Sequence, residues 1–265
     1  MSVRLRRSEL SVPGSNLKMI EKALASAADL VFLDLEDAVA PALKESSRAN
    51  VVAALKNPNW GPKLRAVRVN AAETRWAHDD VIEVVEQAGE FLDIIILPKV
   101  KAPRDVWFFD TLLAQLEIKL RLKNKIGLEA LIEETAALAR VEEIAACCPR
   151  LEAIILGFGD LSASQGVRST LAEEDEANRY PGDPWHFARG RMIVAARAAG
   201  IDAIDGPFAI SATRRVTGAR RSGPRPSAPS ANGRFIRAKS TSPMTSLRPR
   251  SRKSTSRAGC AKLMR

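Results

Sequence analysis

Ile94-Ile95-Ile96-Leu97-Pro98-Lys99 has no polar face at all, and a proline and a lysine stop it abruptly. A half-exposed strand needs period-two alternation and an amphipathic helix a 3.6-residue period; this run has neither. A short apolar stretch of that kind suits a parallel strand covered on both sides. Working outward, comparable segments recur over 9–12, 30–35, 66–70, 126–131, 153–158 and 203–207, with this run itself read as a strand over 94–99. Amphipathic stretches lie between them, over 15–27, 43–56, 79–88, 106–120, 134–147 and 185–199. Most of the strand segments close on a polar or glycine-containing cluster: Asp34-Leu35-Glu36-Asp37, Arg68-Val69-Asn70, Pro98-Lys99, Gly159-Asp160 and Asp205-Gly206-Pro207.

Seven β–α steps with chemistry-bearing groups at the strand ends predict a (β/α)8 TIM barrel, whose active site lies on that face. An open doubly wound sheet is the alternative. It is disfavoured because no glycine-rich phosphate loop follows the first strand. Seven strands are visible where a closed barrel needs eight, so the barrel is expected to lack its normal eighth β–α unit.

The missing unit coincides with a change of composition. Residues 211–265 carry 15 of the 41 basic residues and none of the 31 acidic ones, so the formal charge of +10 comes wholly from this stretch. Residues 1–210 are therefore read as the barrel domain and 211–265 as a disordered Arg/Ser/Pro-rich tail that cannot bury enough apolar surface to offset its ordering entropy. A nucleic-acid-binding tail and an incidental solvated extension are two readings; the first lacks aromatic interleaving or regular repeats. A reading-frame slip is favoured over both. Taking the last base of each codon with the first two of the next, residues 233–239 can encode Ala-Val-His-Pro-Gly-Glu-Val, and 212–221 can encode Asp-Pro-Ala-Gly-Tyr-Arg-Arg-Glu-Ala. A chain lacking its last stave is expected to be destabilised by unpaired strand edges.

Other classes are set aside by composition. No stretch reaches the roughly 18 apolar residues of a membrane span, and residues 1–7 lead into no signal-peptide apolar region. The three cysteines (Cys147, Cys148, Cys260) form no disulfide framework and suit reduced thiols in a cytoplasmic protein. The two histidines, His78 and His186, support neither a zinc site nor a histidine-based triad. His186 reads as a helix-start residue and His78 as a surface one.

Several stretches together resemble the HpcH/HpaI aldolase and citrate lyase beta-subunit family, especially its malyl-CoA and citramalyl-CoA lyase-like members. They are Arg7-Ser8-Glu9-Leu10-Ser11-Val12-Pro13-Gly14-Ser15-Asn16, Ala28-Asp29-Leu30-Val31-Phe32-Leu33-Asp34-Leu35-Glu36-Asp37-Ala38-Val39, Val67-Arg68-Val69-Asn70, Leu97-Pro98-Lys99-Val100, Ile126-Gly127-Leu128-Glu129-Ala130-Leu131-Ile132-Glu133, Gly157-Phe158-Gly159-Asp160-Leu161-Ser162 and Ile204-Asp205-Gly206-Pro207-Phe208. The family's closing segment, Asp-Pro-x-Gly-Tyr/Phe and then Trp-Ala-Ile/Val-His-Pro, is absent as translated, and the alternative frame would restore it.

The resemblance implies a Mg2+-dependent carbon–carbon lyase that splits a 3-hydroxyacyl-CoA into an acyl-CoA and a 2-keto acid, with Mn2+ as a substitute metal. Glu133 and Asp160 are the implied metal ligands, with Glu129 and Glu134 the alternatives for the glutamate. Arg68 is implied to polarise a substrate oxygen; read from the residues alone, a buried arginine there needs an anionic partner, protein or substrate. Glu36 and Asp37 would order metal-bound water and Arg68, or serve as a loop charge pair. Lys22, with Lys18 one turn away, is implied to meet a CoA phosphate, and Asp205 and Gly206 to border the thioester pocket. A trimer or hexamer is the implied assembly. A CoA-free 2-keto-3-hydroxy acid aldolase, a malyl-CoA thioesterase and an inactive truncated product are the competing readings.

Overall fold

A computed structural model of the chain describes residues 4–167 and 185–206. Seven strands form one sheet in chain order: β1 (Glu9–Pro13), β2 (Leu30–Asp34), β3 (Leu64–Arg68), β4 (Ile94–Leu97), β5 (Gly127–Ile132), β6 (Leu151–Leu156) and β7 (Asp202–Ile204). Every neighbouring pair is parallel. The connecting helices are α1 (Leu17–Leu24), α2 (Lys44–Leu55), α3 (Ala77–Ala88), α4 (Pro103–Leu120), α5 (Thr135–Ala139), α6 (Val141–Ala145), α7 (Phe158–Ser164) and α8 (His186–Ala199).

The two-sided apolar character of the strands has a direct structural cause. Val31, Leu33, Val67, Ile95, Leu97, Leu128, Ala130, Ile132, Ile154 and Leu156 pack with the helices in one core. Their strand neighbours Leu30, Ala66, Ile94, Ile96, Leu131, Ala153, Ile155 and Ile204 form a second cluster on the opposite face of the sheet. All four side chains of β4 are therefore buried. Parallel strands sandwiched between two apolar layers need no polar face.

The sheet is curled. Arg6, just ahead of β1, donates to Glu129 on β5 at 2.6 Å, to Asp202 on β7 at 3.3 Å, and also to Glu152 on β6. One guanidinium reaches three far strands only if the first edge swings round toward the last. The result is the seven-stave, barrel-type α/β architecture expected from the sequence. The expected disorder of 211–265, the place of an eighth strand, Pro207 and Cys260 fall outside the described residues.

Several boundaries differ from the periodicity reading. The single helix expected over 134–147 is two short helices, broken where Arg140 leaves helical geometry (φ −123°, ψ 22°); no sequence signal marks the break. The third strand ends at Arg68, so Val69 and Asn70 belong to the loop that follows.

Candidate active site

Strand alternation and parallel register build the deepest part of the site. Leu30, Phe32 and Asp34 share one side of β2, as Leu64, Ala66 and Arg68 share one side of β3. Asp34 and Arg68 are register partners at the two strand ends. Arg68 makes the two-pronged pair that this geometry allows, Nε to Oδ1 at 2.7 Å and Nη2 to Oδ2 at 2.6 Å, with both residues buried. The other Asp34 contacts are turn bonds: its oxygens accept the Glu36 and Ala38 amides, which fixes the loop after β2. Sequence reasoning placed Asp34 in the polar cluster but gave it no role. The anionic partner of Arg68 is thus a neighbouring aspartate, and Arg68 also lies 3.4 Å from Glu36.

A second network supports this loop from behind. The buried Lys44 ammonium, on α2, donates to the Leu35 and Glu36 carbonyls at 3.0 Å and to Asn70 at 2.6 Å. Asn70 is held in turn by Asp80 at 2.6 Å, and Asp80 by Arg48 at 2.8 Å. The loops after β2 and β3 are therefore locked together through side chains that the sequence reading had not singled out.

Lys99 was likewise missed. It follows β4 with φ 49°, a left-handed conformation uncommon for a residue with a side chain. This turn sends its amide to Glu133 at 2.8 Å. Its ammonium is in contact with Glu36, lies 3.1 Å from Asp37 and sits 4.0 Å from Asp160. One residue thereby gathers Glu36, Asp37, Glu133 and Asp160, four of the five acidic residues expected at the site; Asp205 pairs with Arg189 instead. The signal was present in the sequence as a lysine directly behind an entirely apolar strand.

Glu133 directly follows β5 and is buried. Gly157, at the end of β6, makes room for it: a Cβ there would stand 2.5 Å from the Glu133 Cβ and 2.7 Å from its Oε2. Asp160 does not close β6, as expected, but lies in the first turn of α7, about half exposed. The strand stops at Leu156, and Gly157 starts the helix. Of the alternatives to Glu133, Glu129 is fully buried against Arg6 at the opposite end of its strand, and Glu134 is the N-cap residue of α5 and accepts from Ser164.

The electrostatics follow from this crowding. Burial lifts the Glu133 carboxyl to about 7, against the Lys99 amide and the Arg68 charge. Burial also raises Glu36, partly offset by Arg68 and Lys99. Burial would raise Asp37 too, but the Lys99 ammonium outweighs it and holds that group below the ordinary carboxyl range. Although burial opposes its charge, the contacts with Glu36 and Asp37 hold Lys99 above its usual range.

These residues fit a small hard cation. Among the described residues the buried Glu133 makes no ion pair within 4.0 Å, and only the Lys99 amide and the more distant Arg68 charge steady its carboxylate. The donors are carboxylate oxygens, and among the described residues no group of three or more His, Cys, Asp or Glu side chains is placed to enclose a metal. One or two carboxylates suit Mg2+, which keeps several of its waters, better than they would a metal that needs a full protein cage.

No hydrogen bond or ion pair among the described residues ties Lys18, Lys22, Asp205 or Gly206 to this cluster. Lys18 and Lys22 are exposed on α1, whose N-cap is Asn16, accepting the Met19 amide at 3.1 Å. Asp205 accepts from Arg189 at 2.9 Å. A Cβ added at Gly206 would stand 2.6 Å from the Leu156 carbonyl oxygen and would collide with the Phe158 ring. His186 opens α8 and is exposed, while the half-exposed His78 on α3 lies 3.2 Å from Asp79.

The chain is 41% identical over 213 residues to the L-malyl-CoA/beta-methylmalyl-CoA lyase of Rhodobacter capsulatus, covering 77% of this chain and 67% of that protein. It is 36% identical over 203 residues to citrate lyase subunit beta of Escherichia coli K12, covering 76% and 63%. Its fold matches the citrate lyase beta subunit of M. tuberculosis complexed with oxaloacetate and magnesium, with a TM-score of 0.57 at 27% identity over 75% of this chain and 77% of that one. The family model for HpcH/HpaI aldolase/citrate lyase matches residues 7–233. With seven barrel staves, a carboxylate cluster at their C-terminal ends and these matches, the chain belongs to the HpcH/HpaI aldolase/citrate lyase family.

Proposed function

We propose that this site cleaves the carbon–carbon bond of a 3-hydroxyacyl-CoA of the malyl-CoA, methylmalyl-CoA or citramalyl-CoA type, yielding an acyl-CoA and a 2-keto acid. The observations that carry the reading are Glu133, buried directly behind β5 in the space left by Gly157, and Asp160 in the first turn of the helix after β6, close enough for its charge to act on Glu133, in a chain 41% identical to a malyl-CoA lyase. These two carboxylates would hold the cation. When bound, Mg2+ supplies Lewis acidity toward the substrate's carboxylate and hydroxyl oxygens, and Mn2+ is expected to substitute for it.

The chain's own groups do the rest. Cleavage removes the hydroxyl proton, turns the hydroxyl carbon into the keto group and leaves the electron pair of the broken bond on the acyl-CoA as an enolate. Arg68, clamped by Asp34, is a fixed positive charge that cannot rotate away, and it offsets the charge developing on a reacting oxygen. Glu36 and Asp37 hold the ammonium beside the site and order the water around it. Lys18 and Lys22, on the exposed face of α1, meet the CoA phosphates. Asp205 and Gly206 border the thioester, where the missing Cβ keeps Phe158 in place.

The reading extends to a cytoplasmic homo-oligomer, a trimer or hexamer. Free, half-buried Cys147 and Cys148 support the reducing setting, and exposed Trp107, Phe108 and Ile118 on α4 support an assembly surface. No helix among the described residues is long and apolar enough to cross a membrane.

The test is to incubate the full chain with malyl-CoA and with a CoA-free 2-keto-3-hydroxy acid, with and without EDTA. Keto acid released from the thioester alone, without free CoA thiol and only when Mg2+ is present, is the expected result. Thiol release would identify a thioesterase, and turnover of the free acid a CoA-independent aldolase. Full activity in EDTA, or in Glu133→Ala and Asp160→Ala variants, would remove the metal from the mechanism.

A further inference from the structure

We propose that Lys99 is an internal counter-ion which competes with the divalent cation for the carboxylate cluster, and so sets how tightly the site holds that cation. The proposal rests on reading Glu133 and Asp160 as the cation's ligands. It starts from the backbone. A lysine at φ 49° occupies a left-handed conformation that asparagine or glycine adopts more readily. The turn serves two contacts that point to the same place, from one residue: the amide on Glu133 and the ammonium on Glu36 and Asp37, 4.0 Å from Asp160.

Those two contacts have opposite consequences for a cation. The amide, which no side-chain substitution removes, steadies the Glu133 carboxylate. The ammonium places a positive charge over Asp160, so a divalent ion on that carboxylate meets a like charge close by. In a largely hydrated site such a repulsion weakens binding roughly tenfold. The Lys99 side chain is about one third exposed, so salt should screen this effect. A lysine acting only as a structural tie would weaken cation binding when removed, by loosening Glu36 and Asp37. The counter-ion reading requires the reverse.

The experiment is calorimetric titration of Mg2+ alone into the full-length protein, without substrate, for wild type, Lys99→Met, Lys99→Gln, Lys99→Arg and Glu133→Gln. Thermal melts confirm that each variant is folded; two neutral replacements guard against one of them failing. Lys99→Met and Lys99→Gln should bind Mg2+ roughly tenfold more tightly than wild type, the gain shrinking in about 1 M NaCl. Lys99→Arg should stay near wild type, and Glu133→Gln should lose binding. Equal or weaker Mg2+ binding by the neutral variants, with Glu133→Gln still deficient, would overturn the role of Lys99 and leave the metal site standing. Wild-type affinity in Glu133→Gln, or no binding by wild type, would overturn the metal site and this inference with it.

Discussion

Asp34 and Arg68 illustrate how much one side-chain pair carries. Both are buried, and two hydrogen bonds fix their relative orientation as well as their charge balance. A buried pair of this kind is weak evidence of net stabilisation, because desolvation offsets much of the attraction. Removing one partner is a different matter, since the other is left charged in a dry place. Asp34→Asn is therefore expected to lower unfolding stability by about 3–5 kcal/mol, read from urea denaturation midpoints. A loss below about 1 kcal/mol would mean that Glu36, 3.4 Å from Arg68, takes over as its partner. Arg68→Lys should damage turnover more than folding, since an ammonium cannot span both Asp34 oxygens.

The junction of β6 and α7 shows the same dependence on a missing atom. Gly157 lets Glu133 lie against the strand end, and an added methyl would strike its Cβ and Oε2 at 2.5 and 2.7 Å. Gly157→Ala should push Glu133 aside and weaken Mg2+ binding by about ten- to a hundredfold, while the overpacking itself costs about 1–3 kcal/mol. Titration calorimetry paired with a melt separates the two, and unchanged Mg2+ affinity would show that Glu133 is not needed for the cation. What could be read beforehand follows a physical divide. Strands such as Ile94–Leu97 were legible because two-sided burial writes an apolar run directly into the sequence. Glu133, Asp160, Glu36 and Asp37 were legible from the family resemblance, and they do converge on Lys99. The role of Lys99 itself was not, because it depends on a left-handed turn and on loops more than 60 positions apart in sequence (|i−j| = 63 to Glu36). The Asp34–Arg68 pair needed only the parallel register between β2 and β3, which alternation alone does not supply. The break at Arg140 left no trace in residue type.

Across the barrel as a whole, charge is concentrated at both ends of an apolar middle, and the end away from the active site controls the response to pH. There Arg6 is shared by Glu129, Glu152 and Asp202, while a buried Glu9 oxygen has no hydrogen-bond partner among the described residues. Burial, opposed by Arg6, lifts Glu129 to about 7, and burial together with the Glu129 charge raises Glu9 well above its ordinary value. The sign of the linkage follows. Below about pH 4.5 these glutamates are protonated whether the chain is folded or not, and contribute no pH dependence. Between about 4.5 and 7 the unfolded chain ionises first and the folded state holds the extra protons, so stability falls as pH rises. Above about 7 the share of Glu129, on the order of a few kcal/mol, is fully in place. Glu133, also lifted to about 7, adds to the same decline, but saturating Mg2+ should cancel its share by competing with its proton. In Mg2+-saturated protein, Glu129→Gln should flatten the fall in urea midpoint between pH 5 and 8 and be more stable than wild type at pH 8. If the variant were instead less stable at every pH, the ion pair with Arg6 would outweigh the desolvation of Glu129, and the polar base of the barrel would be a net source of stability.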